Sequence, residues 1–476
     1  MIPLGELNSL FLFSGKKKKK KETSKKKTME ASEVPVATVT QRSQKSVESQ
    51  VGRIYEGFAK HPPDAQFRML ELKRENHIDY LKGGLRQLPS SFCILDALRP
   101  WVCFWNLHSL ALLGESVDDQ LQNNIVDFLS RCQMPHLATT YAAVCSLVTL
   151  GGHKALSSIN RSEMYMFLRQ MEHPSGGFRS LELYLIPYFS PGFMMVEKLM
   201  SGPATLQFLL VASILNILDD ELVQNVGNYI LSCQTYEGGI SAEPGTEAHG
   251  GYTFCGVATM IMINQVNQLD LPRLRQMIVR KFNVVFNEHV LNLSNPKTND
   301  WLVFQQGKEC GFKGRTNKLV DCCYSFWQGG TFALLQRACS TIDQQLVIPV
   351  GGNTFEVNFN DIGHNFVKRR VEMEPLFDGR ALQLYLLLCS QEENGGLKDK
   401  PGKSRDFYHT CYALSGLSVS QHIWSDDESL LMPRAVLGPY SNLLEPIHPF
   451  FNVVLERYHE ARDFFTTFWL SNIIVL

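Results

Sequence analysis

The sequence predicts an all-α fold, an α-α barrel (toroid) built from repeated helix pairs. Three observations carry that expectation. A unit made of an apolar helix ending in Gln, a Gly-rich turn and a second helix recurs, with turns at "CQMP" (Gln133), "RQMEHPSGGF" (Gln170), "CQTYEGGI" (Gln234), "QQGKECGF" (Gln306) and "SQEENGGL" (Gln391). The helices after four of these turns share a Tyr near their start, at Tyr141, Tyr252, Tyr324 and Tyr412, and Tyr252 and Tyr324 each lie 18 residues after their Gln. No segment sustains the period-2 alternation of a half-buried strand. One helix pair cannot bury its apolar face alone, so successive pairs stack, and a closed stack has an inner and an outer layer. Glycines supply the left-handed backbone that ends one helix before the next begins.

Taken in chain order, residues 1–50 read as a disordered basic leader. Its first 15 residues are apolar, but the lysines follow them, the reverse of a secretory signal. The tract "KKKKKKETSKKK" (Lys16 to Lys27) reads as solvated chain, with a nuclear address or polyanion contact as the alternative. Residues 51–460 form the barrel and 461–476 a C-terminal tail. Within the barrel, "VIPVGGNTFEVNFNDIGHNFVKRRV", part of the 341–372 insertion, reads as an irregular surface loop. The closing run "FFTTFWLSNIIVL" has 13 residues, short of the roughly 20 that span a bilayer. Over the whole 476 residues, the formal charge of -1 leaves no global footprint for nucleic acid or an anionic membrane. Twelve scattered cysteines lack the spacing of a disulfide scaffold, which places the chain in a reducing compartment, the cytoplasm.

In such a ring the starts of the inner helices converge on one mouth of the cavity. Three positions before the shared Tyr stand His249, Asp321 and His409, with Ala138 in the first repeat, and Cys323 directly precedes Tyr324. Asp, Cys and His from two repeats make a three-ligand zinc set with an open fourth position, the arrangement of catalytic zinc. The residues alone leave the alternative open: Asp321 as a helix N-cap and the cysteines as small core hydrophobes. Arg315 and Lys318 in "GFKGRTNK" precede Asp321, and a cationic cluster beside a metal suits a diphosphate or other anion. Lys318 alone is equally a solvated loop residue. Trp101 and Trp105 of "RPWVCFW" share a helix face, and with Tyr324, Phe326 and Trp327 they predict an aromatic cavity, although Trp327 equally fits the core. An apolar funnel, an anion clamp and a metal with an open position suggest an isoprenoid diphosphate meeting a thiol held as thiolate.

Four motifs, "RPWVCFW", "EAHGGYTFCG", "GRTNKLVDCCYSFWQ" and "DKPGKSRDFYHTCYALSGLS", closely resemble the β-subunit family of protein farnesyltransferase, of plant type, and the likeness covers most of residues 51–460. The resemblance implies a barrel paired with a separate α subunit as a heterodimer. It implies transfer of farnesyl from farnesyl diphosphate to the cysteine of a C-terminal CaaX sequence through a zinc-bound thiolate. Matched residue by residue, it implies one Zn2+ at Asp321, Cys323 and His409, the diphosphate at His249, Arg315, Lys318 and Tyr324, and Mg2+ assistance at Asp399. Asp321, Cys323, His409 and Tyr324 would be the catalytic set. Trp101, Trp105 and Tyr412 would line the lipid pocket, with bulk that suits farnesyl over the longer geranylgeranyl chain, and Tyr408 would lie near the peptide. A lysine of the α subunit would complete the diphosphate clamp.

Three segments depart from the pattern. Gln133 to Tyr141 spans only 8 residues against 18 in the regular units. Residues 179–210 carry several prolines and glycines in place of a polar helix start. The Tyr position there falls on Leu206, 36 residues after Gln170, and Pro203 stands where the family has a peptide-contacting Arg. Residues 283–299 help stretch Gln234 to Gln306 to 72 residues. Two alternative functions follow: a non-catalytic form that docks on the α subunit, favoured by the altered second repeat, and a geranylgeranyltransferase β subunit, opposed by Trp101. A terpene cyclase would need an acidic DDxxD or DxDD motif, which the sequence lacks.

Overall fold

The computed structural model describes residues 37–86, 88, 98–133, 137–178, 204–275, 306–345, 358–368, 376–422 and 435–473. Among them, six helices form an inner ring: Arg99–Leu112, Leu137–Leu150, Ala204–Ile214, Gly250–Met262, Tyr324–Gln345 and Phe407–His422. Each packs on the next, and the last returns to the first, so the ring closes. Their sequences explain the position. Every residue of Gly250–Met262 is buried, and so is all of Leu137–Leu150 except its last residue, as expected of helices that are apolar on all sides.

Outer helices show the complementary pattern. Arg161–Met171 buries Met164, Phe167, Leu168 and Met171, the 3.6-residue stripe of a helix with one face on a core, and Asp119–Ser130 buries only Ile125, Val126 and Leu129. Burial of each such side chain contributes on the order of 1.5–3 kcal/mol.

The recurrent Gln clamps one repeat to the next. Gln234 Nε2 donates to the Asp270 carbonyl (3.3 Å) while its Oε1 accepts the Asp270 N–H (2.9 Å). Gln306 does the same to Asp378 (3.1 and 3.3 Å), and Gln133 reaches Ser158 and Asn160 (2.9 and 3.3 Å). Asn160, Asp270 and Asp378 each cap the next outer helix, so the amide ties down the residue that starts it. Gln391 accepts the Lys73 N–H (2.9 Å) and donates to the Glu71 carbonyl (3.1 Å), joining the last repeat to the first. The turn glycines lie flush against the same backbone. A Cβ on Gly238 (φ +99°) would stand 2.4 Å from the Arg273 carbonyl oxygen, and one on Gly395 (φ +80°) 1.9 Å from that of Asn76.

Four expectations are corrected. In the second repeat the Gln position is Glu172, not Gln170: the bridge Glu172–Phe178 repeats the spacing of Gln234–Ile240, Gln306–Phe312 and Gln391–Leu397, whereas Gln170 is exposed on its helix. The leader does not extend to residue 50, because a helix spans Val39–Ala59, started by a capping box between Thr38 and Gln41. The tail from 461 belongs to the helix Leu455–Ile473, which packs on two inner helices and buries Ala461 and Phe465. The 341–372 insertion is not a plain surface loop: Tyr324–Gln345 continues into it, and Phe359–Val367 lies on the Ala204–Ile214 and Gly250–Met262 helices with Phe366 fully buried. Residues 134–136, 179–203 with Pro203, 276–305 with the 283–299 segment, and the lysine tract lie outside the described residues.

A short hairpin completes the core. Strands Ile447–His448 and Val453–Val454 pair antiparallel, with Ile447 opposite Val454 and His448 opposite Val453. Phe450 and Phe451 at its turn are buried, and Phe450 and Asn452 line the internal cavity.

Candidate metal centre and cavity

Three inner-helix starts meet at one mouth of the ring, each capped by a polar side chain. His249 caps Gly250–Met262, its Nδ1 accepting the Gly251 N–H at 3.1 Å. Asp321 Oδ1 accepts the Cys323 N–H (3.0 Å) before Tyr324–Gln345. Asp406 Oδ1 accepts the His409 N–H (2.7 Å) at the start of Phe407–His422. The cap reading of Asp321 and the convergence reading are therefore both right, because a cap is what brings a polar side chain to the rim.

Asp321, Cys323 and His409 come together with their potential ligand atoms all within 4.8 Å of one another. His409 is oriented for coordination: Asp406 Oδ2 takes its Nδ1–H at 2.6 Å, and Nε2, buried, makes no hydrogen bond among the described residues although Asp321 Oδ1 is 3.4 Å away. A carboxylate on one ring nitrogen and an unpaired second nitrogen aimed at an acid and a thiol is the arrangement of a metal-binding histidine. The electrostatics agree. Burial opposes ionisation of Asp321, but the His409 ring and Lys400 overcome it and hold the carboxyl well below the usual range. Burial pushes the Cys323 thiol far up, and the Asp321 charge pushes it further, so a thiolate there needs a cation. The donor set thus fits a metal ion.

Beside this cluster, the Tyr324 hydroxyl lies 2.9 Å from His249 Nε2. Since His249 Nδ1 accepts a backbone N–H, the neutral ring carries its proton on Nε2 and donates it to the Tyr324 oxygen. Arg315 is half-buried and pairs with Glu247 (3.0 Å), while Lys318 is exposed. Asp399 forms an ion pair with buried Lys400; burial, followed by the Asp321 charge, raises its pKa to about 6. Tyr252, expected on the previous repeat, packs against the His249 ring at 4.7 Å.

A small cavity is lined by Tyr141, Gln207, Leu210, Phe254, Cys255, Phe326, Trp327, Tyr412, Phe450 and Asn452, of which Trp327 and Tyr412 stand one helical turn beyond Cys323 and His409. Tyr412 and Trp327 are thus both core and wall. Trp101 packs on the lining residue Tyr141 (5.7 Å), and Trp105 packs on Tyr408 (5.6 Å), which in turn packs on the lining residue Tyr412 (4.9 Å) and on His409 (5.0 Å). Asp406, Lys400 and Glu247 were missed by sequence reasoning. For Asp406 a signal existed, an acidic residue three before His409 at a helix start; for Phe450 and Asn452 there was none.

A closed ring of helix pairs with a metal-competent cluster at its mouth defines a prenyltransferase toroid, and residues 72–453 match the family model for the prenyltransferase alpha-alpha toroid domain. The chain belongs to the protein farnesyltransferase β-subunit family. It is 48% identical to the protein farnesyltransferase subunit beta of Pisum sativum, over 92% of this chain and 98% of that one. It is 46% identical to the Arabidopsis thaliana subunit, over 91% of each. The geranylgeranyl transferase type-1 subunit beta of Arabidopsis thaliana is 26% identical over 60% of this chain and 58% of its own. Among solved structures, Candida albicans protein geranylgeranyltransferase-I complexed with GGPP shares the fold, with TM-score 0.52 and 20% identity, covering 83% of this chain and 99% of that one. No helix among the described residues is long and apolar enough to cross a membrane.

Proposed function

We propose that the chain is the catalytic β subunit of a cytoplasmic protein farnesyltransferase, acting as a heterodimer with an α subunit. Farnesyl would pass from farnesyl diphosphate to the cysteine of a C-terminal CaaX sequence, an S–C bond forming at C1 as the C1–O bond to diphosphate breaks. The observation that carries this reading is the Asp321–Cys323–His409 cluster with the His249–Tyr324 pair at the rim of a ring whose interior is aromatic.

Asp321, Cys323 and His409 would hold Zn2+, and Asp399 would help hold Mg2+. Zinc, when bound, would supply the positive charge that keeps the substrate cysteine as a thiolate near neutral pH. The chain's own groups do the rest. Asp406 holds a proton on His409 Nδ1, so Nε2, facing Asp321, is the nitrogen that would lose its proton and present a lone pair. Arg315 and Lys318 would neutralise the departing diphosphate, and Tyr324, its oxygen accepting from His249, would donate its O–H to it. To do so Arg315 must exchange Glu247 for the ligand, an inexpensive step because the pair is partly exposed. The rings of Tyr412 and Trp327, with Trp101 behind Tyr141 and Trp105 behind Tyr408, would align the isoprenoid and exclude water, and Tyr408 would face the peptide.

Co-expression with a farnesyltransferase α subunit tests this directly. The expected result is about one zinc per heterodimer and farnesyl transfer to a CaaX peptide, both lost in Cys323→Ala. A heterodimer that binds zinc and transfers nothing would instead establish the non-catalytic reading.

A further inference from the structure

The Tyr324 phenol that meets His249 sits against two glycines. A Cβ on Gly314 would stand 1.9 Å from the phenol Cζ, 2.1 Å from its oxygen and 2.3 Å from Cε1, and one on Gly250 would stand 3.2 Å from Cδ1. The two glycines hold each other, the Gly250 N–H donating to the Gly314 carbonyl at 2.7 Å. Turn geometry does not ask for glycine at 314. Its φ lies outside the left-handed region, and the equivalent positions in the Gln234 and Gln391 repeats, two residues past the bridged Ile240 and Leu397, are Ala242 and Asp399. What does ask for it is the phenol. Outside its chain neighbours, the three atoms nearest the missing Cβ all belong to Tyr324, whereas a Cβ on Gly250 first meets the amide end of Gln328.

We propose that Gly314 is a positioning residue for the transfer step: its bare Cα lets the Tyr324 oxygen stand 2.9 Å from His249 Nε2, and so places the O–H that the departing diphosphate receives. The inference rests on the role of Tyr324 in the reading given above. A methyl group at 314 must push the phenol from 1.9 Å out to the roughly 3.5 Å of ordinary carbon contact, a shift of about 1.5 Å. A hydroxyl moved that far no longer makes the hydrogen bond to His249.

The test is a double-mutant cycle on the heterodimer with wild type, Gly314→Ala, Tyr324→Phe and the double variant. Each is read as the single-turnover rate of farnesyl transfer and as the dissociation constant of farnesyl diphosphate by fluorescence titration. A donor that meets charge developing as the C1–O bond breaks acts on the rate more than on binding. Gly314→Ala should therefore slow transfer roughly ten- to hundredfold, as Tyr324→Phe does, with affinity within about threefold of wild type. Added to Tyr324→Phe it should slow transfer by less than about twofold, because no hydroxyl is left to misplace. A loss that persists in the Tyr324→Phe background comes from elsewhere, such as a shifted Arg315, and overturns the inference with the transferase reading intact. So does a wild-type rate in Gly314→Ala beside a slow Tyr324→Phe. If Tyr324→Phe itself transfers at the wild-type rate, the role of Tyr324 fails and the inference fails with it. A crystal structure of Gly314→Ala decides the geometry without activity: the Tyr324 oxygen should have left His249 Nε2 by more than about 1 Å, and an unmoved hydroxyl refutes the proposal.

Discussion

At the residue scale, the chemistry depends on how a few side chains are held. Asp406 both caps its helix and takes the His409 Nδ1 proton, two tasks that one substitution separates. Asn is as good a cap as Asp but lacks the negative charge. Asp406→Asn should therefore leave thermal stability close to wild type while weakening zinc binding by about 10- to 100-fold in a chelator competition. Unchanged affinity would mean that Asp406 does not tune the histidine.

At the scale of elements, the repeat joints are where close approach is written into the sequence. Gly238 and Gly245 both have left-handed backbones (φ +99° and +81°), but a Cβ at 238 meets the Arg273 carbonyl while one at 245 meets nothing within 4 Å. Alanine at either site bears the backbone cost, of about 1–2 kcal/mol. Only Gly238→Ala must also push two repeats apart, so its Tm should fall clearly below that of Gly245→Ala, and equal values would show that the joint is soft. Gln306→Leu should cost about 2–4 kcal/mol in denaturant unfolding, because the Cys310 and Asp378 carbonyls and the Asp378 N–H all lose their partner.

For the whole molecule, three histidines fully buried among the described residues couple stability to pH. Burial lowers His77 and His108 to about 4 and holds His448 well below its ordinary value. Their unfolded pKa is near 6.5, so below that the unfolded chain binds more protons and stability falls. The sign is that of a depressed pKa: stability is complete above about pH 6.5 and declines as pH drops towards 4, by up to about 1.4 kcal/mol per pH unit for each histidine. A Tm that holds constant from pH 7 to 5 would refute this. The C-terminal helix belongs to the same unit: Phe465→Ala should cost about 3–5 kcal/mol, whereas the exposed neighbour Thr466→Ala should change stability by less than about 0.5 kcal/mol.

The fold class and the meeting of Asp321, Cys323 and His409 at one rim can be read from the residues alone, because both rest on short-range patterns. Gln–turn–Tyr spacing marks each helix pair, and caps such as Asp321 and His249 lie within three residues of the groups they position. Cys323 and His409 can be placed side by side from the sequence because repeat arithmetic puts them at equivalent helix starts. Where the pattern was degenerate it misled: in "RQMEHPSGGF" only the backbone bridge shows that Glu172 holds the Gln position. What the tertiary structure alone decided are the contacts between residues far apart in the chain. The ring closes through Gln391 and Lys73, the hairpin brings Asn452 beside His108, and the helix from Leu455 packs on Leu137–Leu150. No local periodicity encodes those pairings; they form because the closed ring leaves an apolar interior that the end of the chain must fill.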